Sequence, residues 1–493
     1  MMDRRDFLRT AGVTAMATGL PALAHANNAT ASTAGPADHT IRIETGLIEV
    51  APGRIISTTT YNGGYPGPLL RLHEGHKTTI DIHNDTDTPE QLHWHGQFVP
   101  DSVDGAAEEH TPFIQPHGMR REVFVPGPAG LRFYHTHVRA GNDLSRGLYN
   151  GEAGPVFIEP RHNPGAYDLE VFLTLKEFEP FFSQGGDMAQ DFLPTQGVDA
   201  ALKARGEAEM NASLAKGAPH GYEVGYRLFT INGKMLGHGE PIRVKQGQRV
   251  LLHVLNASAT EIRSLALPGH SFKVVALDGN PVPTPAMMPV LWLGTAERVS
   301  AIVEMDHPGV WVLGDLSDDD RGNGMGIVVE YAGATGDPVW TAPPAFRWDY
   351  RLFADPRAHA PAAPDQVFDM LIEKRNAADG GFNVWTINGQ RFTMSESSMQ
   401  AQPMWQLERG KRYRLHLRNA TDDIHPMHLH RHTFELTHVA GTATAGLRKD
   451  VAMLGGYQQM DIDFVADQPG LSLLHCHMQL HMDYGFMGLF DCH

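Results

Sequence analysis

Cysteine is nearly absent: only Cys476 and Cys492 occur in a chain of 493 residues. Two thiols cannot staple a protein of this size, so the fold has to rest on buried core rather than on a disulfide framework. Cys492, second from the end, reads as a free thiol. Positive charge is also in short supply. Lys and Arg number 40 against 57 Asp and Glu, a formal net charge of −17, which argues against nucleic acid or an anionic membrane as partner. Long hydrophobic runs are missing too. The mildly apolar stretch Ala11 to Leu23 falls well short of the ~20 residues that a membrane span needs.

That stretch has a different use. It follows Arg4-Arg5-Asp6-Phe7-Leu8 and ends in two overlapping small-x-small sites, Ala22-Leu23-Ala24 and Ala24-His25-Ala26. The pattern is that of a twin-arginine export signal over residues 1–26, read by the Tat machinery and removed near residue 25 or 27. A soluble periplasmic protein, exported already folded, is the expectation.

Histidine is abundant, with 28 residues, many in His-x-His pairs. The length suggests about three domains, and the sequence repeats itself three times. Asn62-Gly63, Asn232-Gly233 and Asn388-Gly389 read as turns. Each is followed by a glycine (Gly75, Gly247, Gly410), then by an alternating strand that closes on an asparagine (Asn84, Asn256, Asn419). Nine residues beyond those asparagines stand His93-Trp94-His95, Leu265-Ala266-Leu267 and His428-Leu429-His430. A second register agrees. Five and seven residues beyond Gly130, Gly309 and Gly470 stand His135 and His137, then Gly314 and Leu316, then His475 and His477. The first and third copies carry histidine pairs where the middle copy is blank.

One His-x-His pair is more often structural than metal-binding; four at equivalent points of a repeat point to metal. Strand alternation puts both histidines of a pair on one face. Cys476 therefore faces away from His475 and His477, and His481, five residues on, can fold back beside it. Thiolate plus imidazole suits copper, with zinc as the rival. Pro426 is expected to separate His425 from the following strand and leave it free to turn.

Strand-rich copies with Gly/Pro turns suggest Greek-key β-sandwiches at about 40–160, 161–340 and 341–493. Ala/Pro-rich stretches at 341–344 and 360–364 read as linkers. Residues 187–216, rich in Ala, Glu, Lys and Met, read as a short helical insertion decorating the surface of the second domain.

In this order, His93-Trp94-His95-Gly96, His135-Thr136-His137, His425-Pro426-Met427-His428-Leu429-His430 and His475-Cys476-His477 with His481 resemble the signature of the three-domain multicopper oxidases, the family of laccases and cuprous oxidases. The resemblance implies an all-β fold of three consecutive cupredoxin-like sandwiches. It also implies four copper ions. His425, Cys476 and His481 match the ligands of the type 1 copper, and Phe486 stands at the axial position as a non-ligating neighbour, with Met487 as the alternative. His93 and His428 match the type 2 copper. His95, His135, His137, His430, His475 and His477 match the two type 3 coppers. His432, on the same face, matches a non-ligating histidine. In the mechanism so implied, a reducing substrate gives single electrons at the type 1 site. They pass through Cys476 to His475 and His477, and O₂ is reduced to water. Asp104 matches the acid beside the cluster, while Gln479 and Met482 stand where the family commonly has further acids, with Asp483 next to them.

The substrate is either a phenol or aromatic amine, as for a laccase, or Cu(I), for which Met394, Met399, Met404, Met478, Met482 and Met487 offer thioethers; the laccase reading is preferred. A structural protein of the same fold without copper is the rival of another class, and a two-domain copper nitrite reductase is a weaker one.

Overall fold

The computed structural model describes residues 35–161, 165–183, 197–218, 220–357, 362–394 and 401–493. The export signal and Met399 lie outside the described residues. The chain forms three β-sandwiches in succession.

The first pairs a sheet ordered Arg54–Tyr61, His39–Ala51, Thr78–Asn84, Met119–Phe124 with a second ordered Leu70–His73, Ala153–Glu159, Gly130–His135, His93–His95. The second has a six-stranded sheet ordered Leu228–Ile231, Leu169–Phe178, Arg249–Asn256, Arg298–Glu304, Phe272–Leu277, Asn280–Met288, faced by smaller sheets that include Gly326–Tyr331. The third pairs six strands, Phe382–Ile387, Gln366–Asp379, Arg412–Asn419, Gln459–Val465, Phe434–Val439, Thr442–Lys449, with five, Trp405–Leu407, Met487–Cys492, Gly470–Cys476, His425–Leu429, Val451–Leu454. In every sandwich the first long strand runs parallel to the one ending in the repeat asparagine: Ile43 lies opposite Asn84, Leu175 opposite Asn256 and Ile372 opposite Asn419.

The residues that made the repeat visible have identical jobs in all three copies. Asn62, Asn232 and Asn388 adopt positive φ (56°, 53° and 53°), each followed by a glycine near 74°, the backbone of a tight hairpin turn. Their Oδ1 atoms accept from the N–H groups of Arg42, Thr174 and Leu371, fixing the turn to the neighbouring strand. Asn84, Asn256 and Asn419 are fully buried. Asn84 Nδ2 donates to the carbonyls of Thr88 and Ile114 at 2.7 and 2.9 Å. Asn256 does the same for Glu261 and Leu293, and Asn419 for Asp423 and Gly455, all within 3.0 Å. Each Oδ1 accepts the N–H two residues on. Alanine at any of them would strand two carbonyls and an amide, at about 1–3 kcal/mol per unsatisfied group. The asparagine thereby sets where the strand stops and the histidine-bearing loop begins.

The insertion differs from expectation. Its described part contains a helix, Ala200–Ala215, capped by Asp199, whose carboxylate accepts from the Ala201 and Leu202 N–H groups. It does not decorate the second sandwich. Arg205 pairs with Glu373 at 2.7 Å, and Gly206 packs so closely on the Ala420 carbonyl that a Cβ would lie 2.2 Å from it. The helix therefore docks on the third sandwich, beside the loop that leads into His425. Residues 184–196 lie outside the described residues. The stretch after the 341–344 linker is also no free tether, because Trp348, Tyr350 and Phe353 are buried at no more than 4% exposure.

Candidate metal centre

Strand parity sorts the donors. His425–Leu429 pairs with Gly470–Cys476 so that Met427 faces Cys476 and His428 faces His475. Paired residues project to the same side and neighbours to opposite sides. His428 and His475 thus share one face, and Cys476 and His425 share the other. The expected role of Pro426 was wrong: it lies inside the strand, opposite Met453, and its carbonyl accepts the His477 N–H at 2.7 Å. His425 reaches the thiol because it stands three residues before His428, an odd step. On the first sandwich His93 faces His135 and His95 faces Phe133. His137, His430 and His477 stand one or two residues past their strand ends.

The eight cluster histidines converge between the first and third sandwiches, none more than 3% exposed. Their donor atoms gather as His95–His135–His477, His137–His430–His475 and His93–His95–His428, each set within 4.8 Å. The unused ring nitrogens are committed elsewhere. His135 Nδ1 donates to the Thr136 carbonyl at 2.7 Å and His475 Nδ1 to the Cys476 carbonyl at 2.9 Å. His428 Nδ1 donates to the Asp450 carbonyl at 2.8 Å and His430 Nδ1 to Asp104 Oδ2 at 2.8 Å. A neutral imidazole has one N–H, so the remaining nitrogens are bare lone pairs. Burial pushes the pKa of His95, His135, His137, His428, His475 and His477 well below the ordinary value, and that of His430 to about 4. Bare lone pairs face one another at 3.0 Å (His430 Nε2 to His475 Nε2), and the bare Nε2 of His135 faces His477 Nε2 at 3.3 Å. His93 Nε2, His428 Nε2 and both nitrogens of His137 have no hydrogen-bond partner. Orphaned, mutually repelling lone pairs in a buried site are an arrangement that cations complete.

The thiol site lies on the other face. Cys476 Sγ is 3.6 Å from His425 Nδ1 and 3.4 Å from His481 Nδ1, and the two nitrogens are 3.1 Å apart. For metal–nitrogen and metal–sulfur bonds of ordinary length, donor spacings of about 3.3–3.7 Å are needed; both sulfur–nitrogen distances meet this, and the two nitrogens stand slightly closer. His425 Nε2 hydrogen-bonds Thr421 Oγ1 at 2.9 Å. Burial pushes the Cys476 thiol up and His481 down to about 4, so a metal would have to displace the thiol proton on entry. The Phe486 ring lies 4.7 Å from that of His425. Met487 faces His475 across the strand pair and packs in a separate apolar cluster with Leu471, Leu473 and Leu489. His432 is buried, donates Nδ1 to the His430 carbonyl at 3.0 Å and belongs to none of the donor sets.

Of the acids, Asp104 is fully buried, with Oδ2 at 3.0 Å from His93 Nδ1 and 2.8 Å from His430 Nδ1. Burial pushes its carboxyl up, but His93 and His430 outweigh burial and hold it well below the usual range. Sequence reasoning missed Glu109. It is fully buried, with Oε2 3.1 Å from His430 Nδ1 and Oε1 accepting the Leu473 N–H at 2.5 Å. Burial, then the negative Asp104 beside it, push its carboxyl well above the ordinary value. Its one sequence signal was a pair of acids, Glu108-Glu109, directly after an apolar Ala106-Ala107. Asp450 was missed too. Asp483 is not at the cluster: its carboxylate accepts the Ala140 and Gly141 N–H groups and the Gln479 Nε2 amide.

Three models of the same family, each described as multicopper oxidase, match residues 43–163, 205–332 and 361–492. The chain belongs to the multicopper oxidase family. As a multicopper oxidase it is a copper-dependent enzyme that carries four copper ions (one type 1, one type 2 and two type 3), with a reducing substrate as electron source and O₂ as acceptor. It is 29% identical over 451 residues to the multicopper oxidase MmcO of Mycobacterium tuberculosis, covering 89% of this chain and 84% of that one. It is 25% identical over 471 residues to Laccase-1 of Pleurotus ostreatus, covering 86% and 82%. Among solved structures, a multi-copper oxidase from Pseudomonas thermotolerans superposes with a TM-score of 0.68 at 24% identity, covering 93% of this chain and all of the other, which supports the fold. Residues 1–21 match the twin-arginine signal model, so the oxidase is exported by that route to the periplasm. Among the described residues no helix is long and apolar enough to cross a membrane.

Proposed function

We propose that this oxidase is laccase-like, drawing single electrons from phenols or aromatic amines on the His425/His481 side of the third sandwich, in a chain divided at about 40–160, 161–340 and 341–493. His425, Cys476 and His481 would hold the type 1 copper with Phe486 as a non-ligating axial neighbour. His93 and His428 would hold the type 2 copper, and His95, His135, His477 and His137, His430, His475 the two type 3 coppers. Support comes from the donor spacings and from the lone pairs left without protons. When bound, the copper ions accept electrons singly and supply four to O₂.

The protein's own groups do the rest. Cys476 links the two ligand sets through its backbone, with His475 on one side and His477 on the other, a covalent bridge of one residue. Asp104 orients both rings: its ionised carboxylate accepts from His430 Nδ1–H, and its backbone carbonyl accepts from His93 Nδ1–H at 2.8 Å. Glu109, neutral, keeps a proton on its carboxyl within reach of Asp104, where an oxygen-reducing centre consumes protons. All eleven donors are at most 3% exposed, so bulk water is excluded. His481 is covered by Trp385, whose ring lies 4.0 Å away and whose Nε1 donates to Asp423 at 3.1 Å.

The observation that favours an organic donor over Cu(I) is where the thioethers lie. Met394, Met482 and Met487 are at most 6% exposed and pack with Phe392, Leu471, Leu473 and Leu489, and Met404 is partly buried against the same cluster, as adaptable core filling rather than as ligands open to an incoming ion. Steady-state rates on the copper-loaded enzyme with a phenol and with Cu(I) test the reading. Phenol turnover is expected to dominate, and its absence would sink the laccase reading. A copper count below four per fully loaded chain would sink the oxidase assignment of these ligands and favour a structural role.

A further inference from the structure

Among the described residues the middle sandwich contributes to none of the metal donor sets, yet it sends three charged side chains to the back of the cluster. Arg298 clamps Asp450 of the third sandwich in bidentate fashion, Nη1 to Oδ1 at 2.7 Å and Nη2 to Oδ2 at 2.6 Å. Arg132 of the first sandwich adds Nη1 to Asp450 Oδ2 at 3.1 Å. Asp278 accepts the backbone N–H groups of Arg298, Asp450 and Val451 and pairs with Lys449 at 2.8 Å. Lys449 also pairs with Glu297 at 2.9 Å, and Tyr350 donates to Glu297 at 2.6 Å. Three cations and three carboxylates are thus locked together, none more than 3% exposed. A buried set of this kind is a costly way to obtain stability, so its position calls for another explanation.

Asp450 touches two of the cluster histidines. Its Oδ1 lies 3.2 Å from His95 Nε2, and its backbone carbonyl 2.8 Å from His428 Nδ1. The two rings are stacked at 3.7 Å and 14°. His95 is turned the opposite way from its neighbours: its Nδ1 faces His135 Nε2 at 3.4 Å, so for Nδ1 to serve as a metal donor the proton has to sit on Nε2. Only an acceptor behind Nε2 holds that tautomer, and an acceptor fixed at both oxygens by two guanidinium groups cannot swing away. Carboxylates behind ligating histidines set ring orientation and basicity, and removing one typically costs 10–100-fold in metal affinity.

We propose that Asp450, clamped by Arg298 and Arg132, is the positioning residue that fixes the tautomer of His95 and the stacking of His95 on His428, and that the copper-free middle sandwich thereby takes part in assembling the cluster. This rests on the ligand assignment above, and the experiment separates the two. Apoprotein of the wild type and of Asp450→Asn, Arg298→Lys and Glu297→Gln would be loaded from a buffered Cu(II) series. Copper per chain, the blue thiolate absorption and the type 2 electron paramagnetic signal would be read at each step.

Wild type should reach four coppers; if it does not, the ligand assignment fails. Asp450→Asn should keep the blue absorption at full strength while needing 10–100-fold more free copper to fill the cluster. Arg298→Lys, which restores one charge but no fork, should fall between. Glu297→Gln disturbs the same charge set without touching a ligand, and should lower the melting temperature while leaving cluster loading unchanged. Cluster loading at wild-type copper in a blue Asp450→Asn protein would overturn the proposal, as would an equal loss in Glu297→Gln. If Asp450→Asn lacks even the blue absorption, Arg298→Lys decides: wild-type loading in it overturns the proposal.

Discussion

Replacing Glu109 by glutamine separates proton supply from folding, because the amide keeps the geometry and loses only the titrating proton. Gln Oε1 can still accept the Leu473 N–H, and its NH₂ can still donate toward Asp104. The folded carboxyl is held neutral, whereas the unfolded one ionises near 4.5. A group whose folded pKa is raised adds stability that is complete below the unfolded value and is lost as pH rises. Each pH unit above the ordinary value costs a group that keeps its proton about 1.4 kcal/mol, so the wild type loses a few kcal/mol at pH 7 and little at pH 5. Glutamine carries no such cost. Allowing about 1 kcal/mol for a weaker hydrogen bond, apo Glu109→Gln should be more stable than apo wild type by about 1–3 kcal/mol at pH 7, with the gain gone at pH 5. Denaturant unfolding of the two apoproteins at both pH values measures this. In the copper-loaded enzyme the substrate-driven bleaching of the blue absorption should be unchanged, while reoxidation by O₂ after anaerobic reduction slows on the order of 10²-fold. A variant that is less stable at pH 7 would mean that Glu109 is ionised in the fold. Reoxidation at the wild-type rate would remove it from proton supply.

Cys476→Ser should abolish the blue absorption and all turnover, with the far-ultraviolet circular dichroism unchanged; a blue serine variant would disprove the thiolate assignment. Phe486→Met places a thioether where a ring now lies 4.7 Å from His425, and should lower the type 1 potential measured by redox titration; an unmoved potential would show that position 486 does not face the metal. Chelating the copper should lower the melting temperature and reloading should restore it, since ligand at a thousandfold over Kd stabilises the folded state by about 4 kcal/mol. An apoprotein that melts with the holoprotein would mean that the sites are empty in both.

The grouping of the histidines and Cys476 was legible because it is written in local periodicities. Two-residue alternation, the nine-residue step from Asn84, Asn256 and Asn419, and the blank middle copy are properties of single strands and of the loops after them, and the buried asparagines give the nine-residue step a hydrogen-bonding cause. What the sequence hid depends on contacts between sandwiches. Glu109 meets His430 across 321 residues of chain, and Asp450 meets His95 across 355. Asp450 has no local pattern that separates it from a solvated carboxylate, and Glu109 has only the acid pair after Ala106-Ala107. The same holds for Ala200–Ala215, whose composition announced a helix but could not say which sandwich it rests on.

Position 479 shows how such contacts redistribute function. The family commonly places an acid there; here Gln479 Oε1 accepts the Leu148 N–H at 2.9 Å and Nε2 donates to Asp483 and to the Val138 carbonyl. Asp483 in turn accepts the N–H groups of Ala140 and Gly141. Both side chains therefore tie the loop after Cys476 to the segment after His137, and every polar atom they offer is used. Asp483, pushed by burial up to about 7, is engaged in docking and stands beyond the cluster. A centre that consumes protons and has given this position to docking needs its acid elsewhere. Glu109 is the buried carboxyl in contact with both a cluster histidine and Asp104. It reaches the centre from the first sandwich, through contacts that neither Gln479 nor Asp483 shares, so the proposed proton source and the interdomain tie do not compete for the same residue.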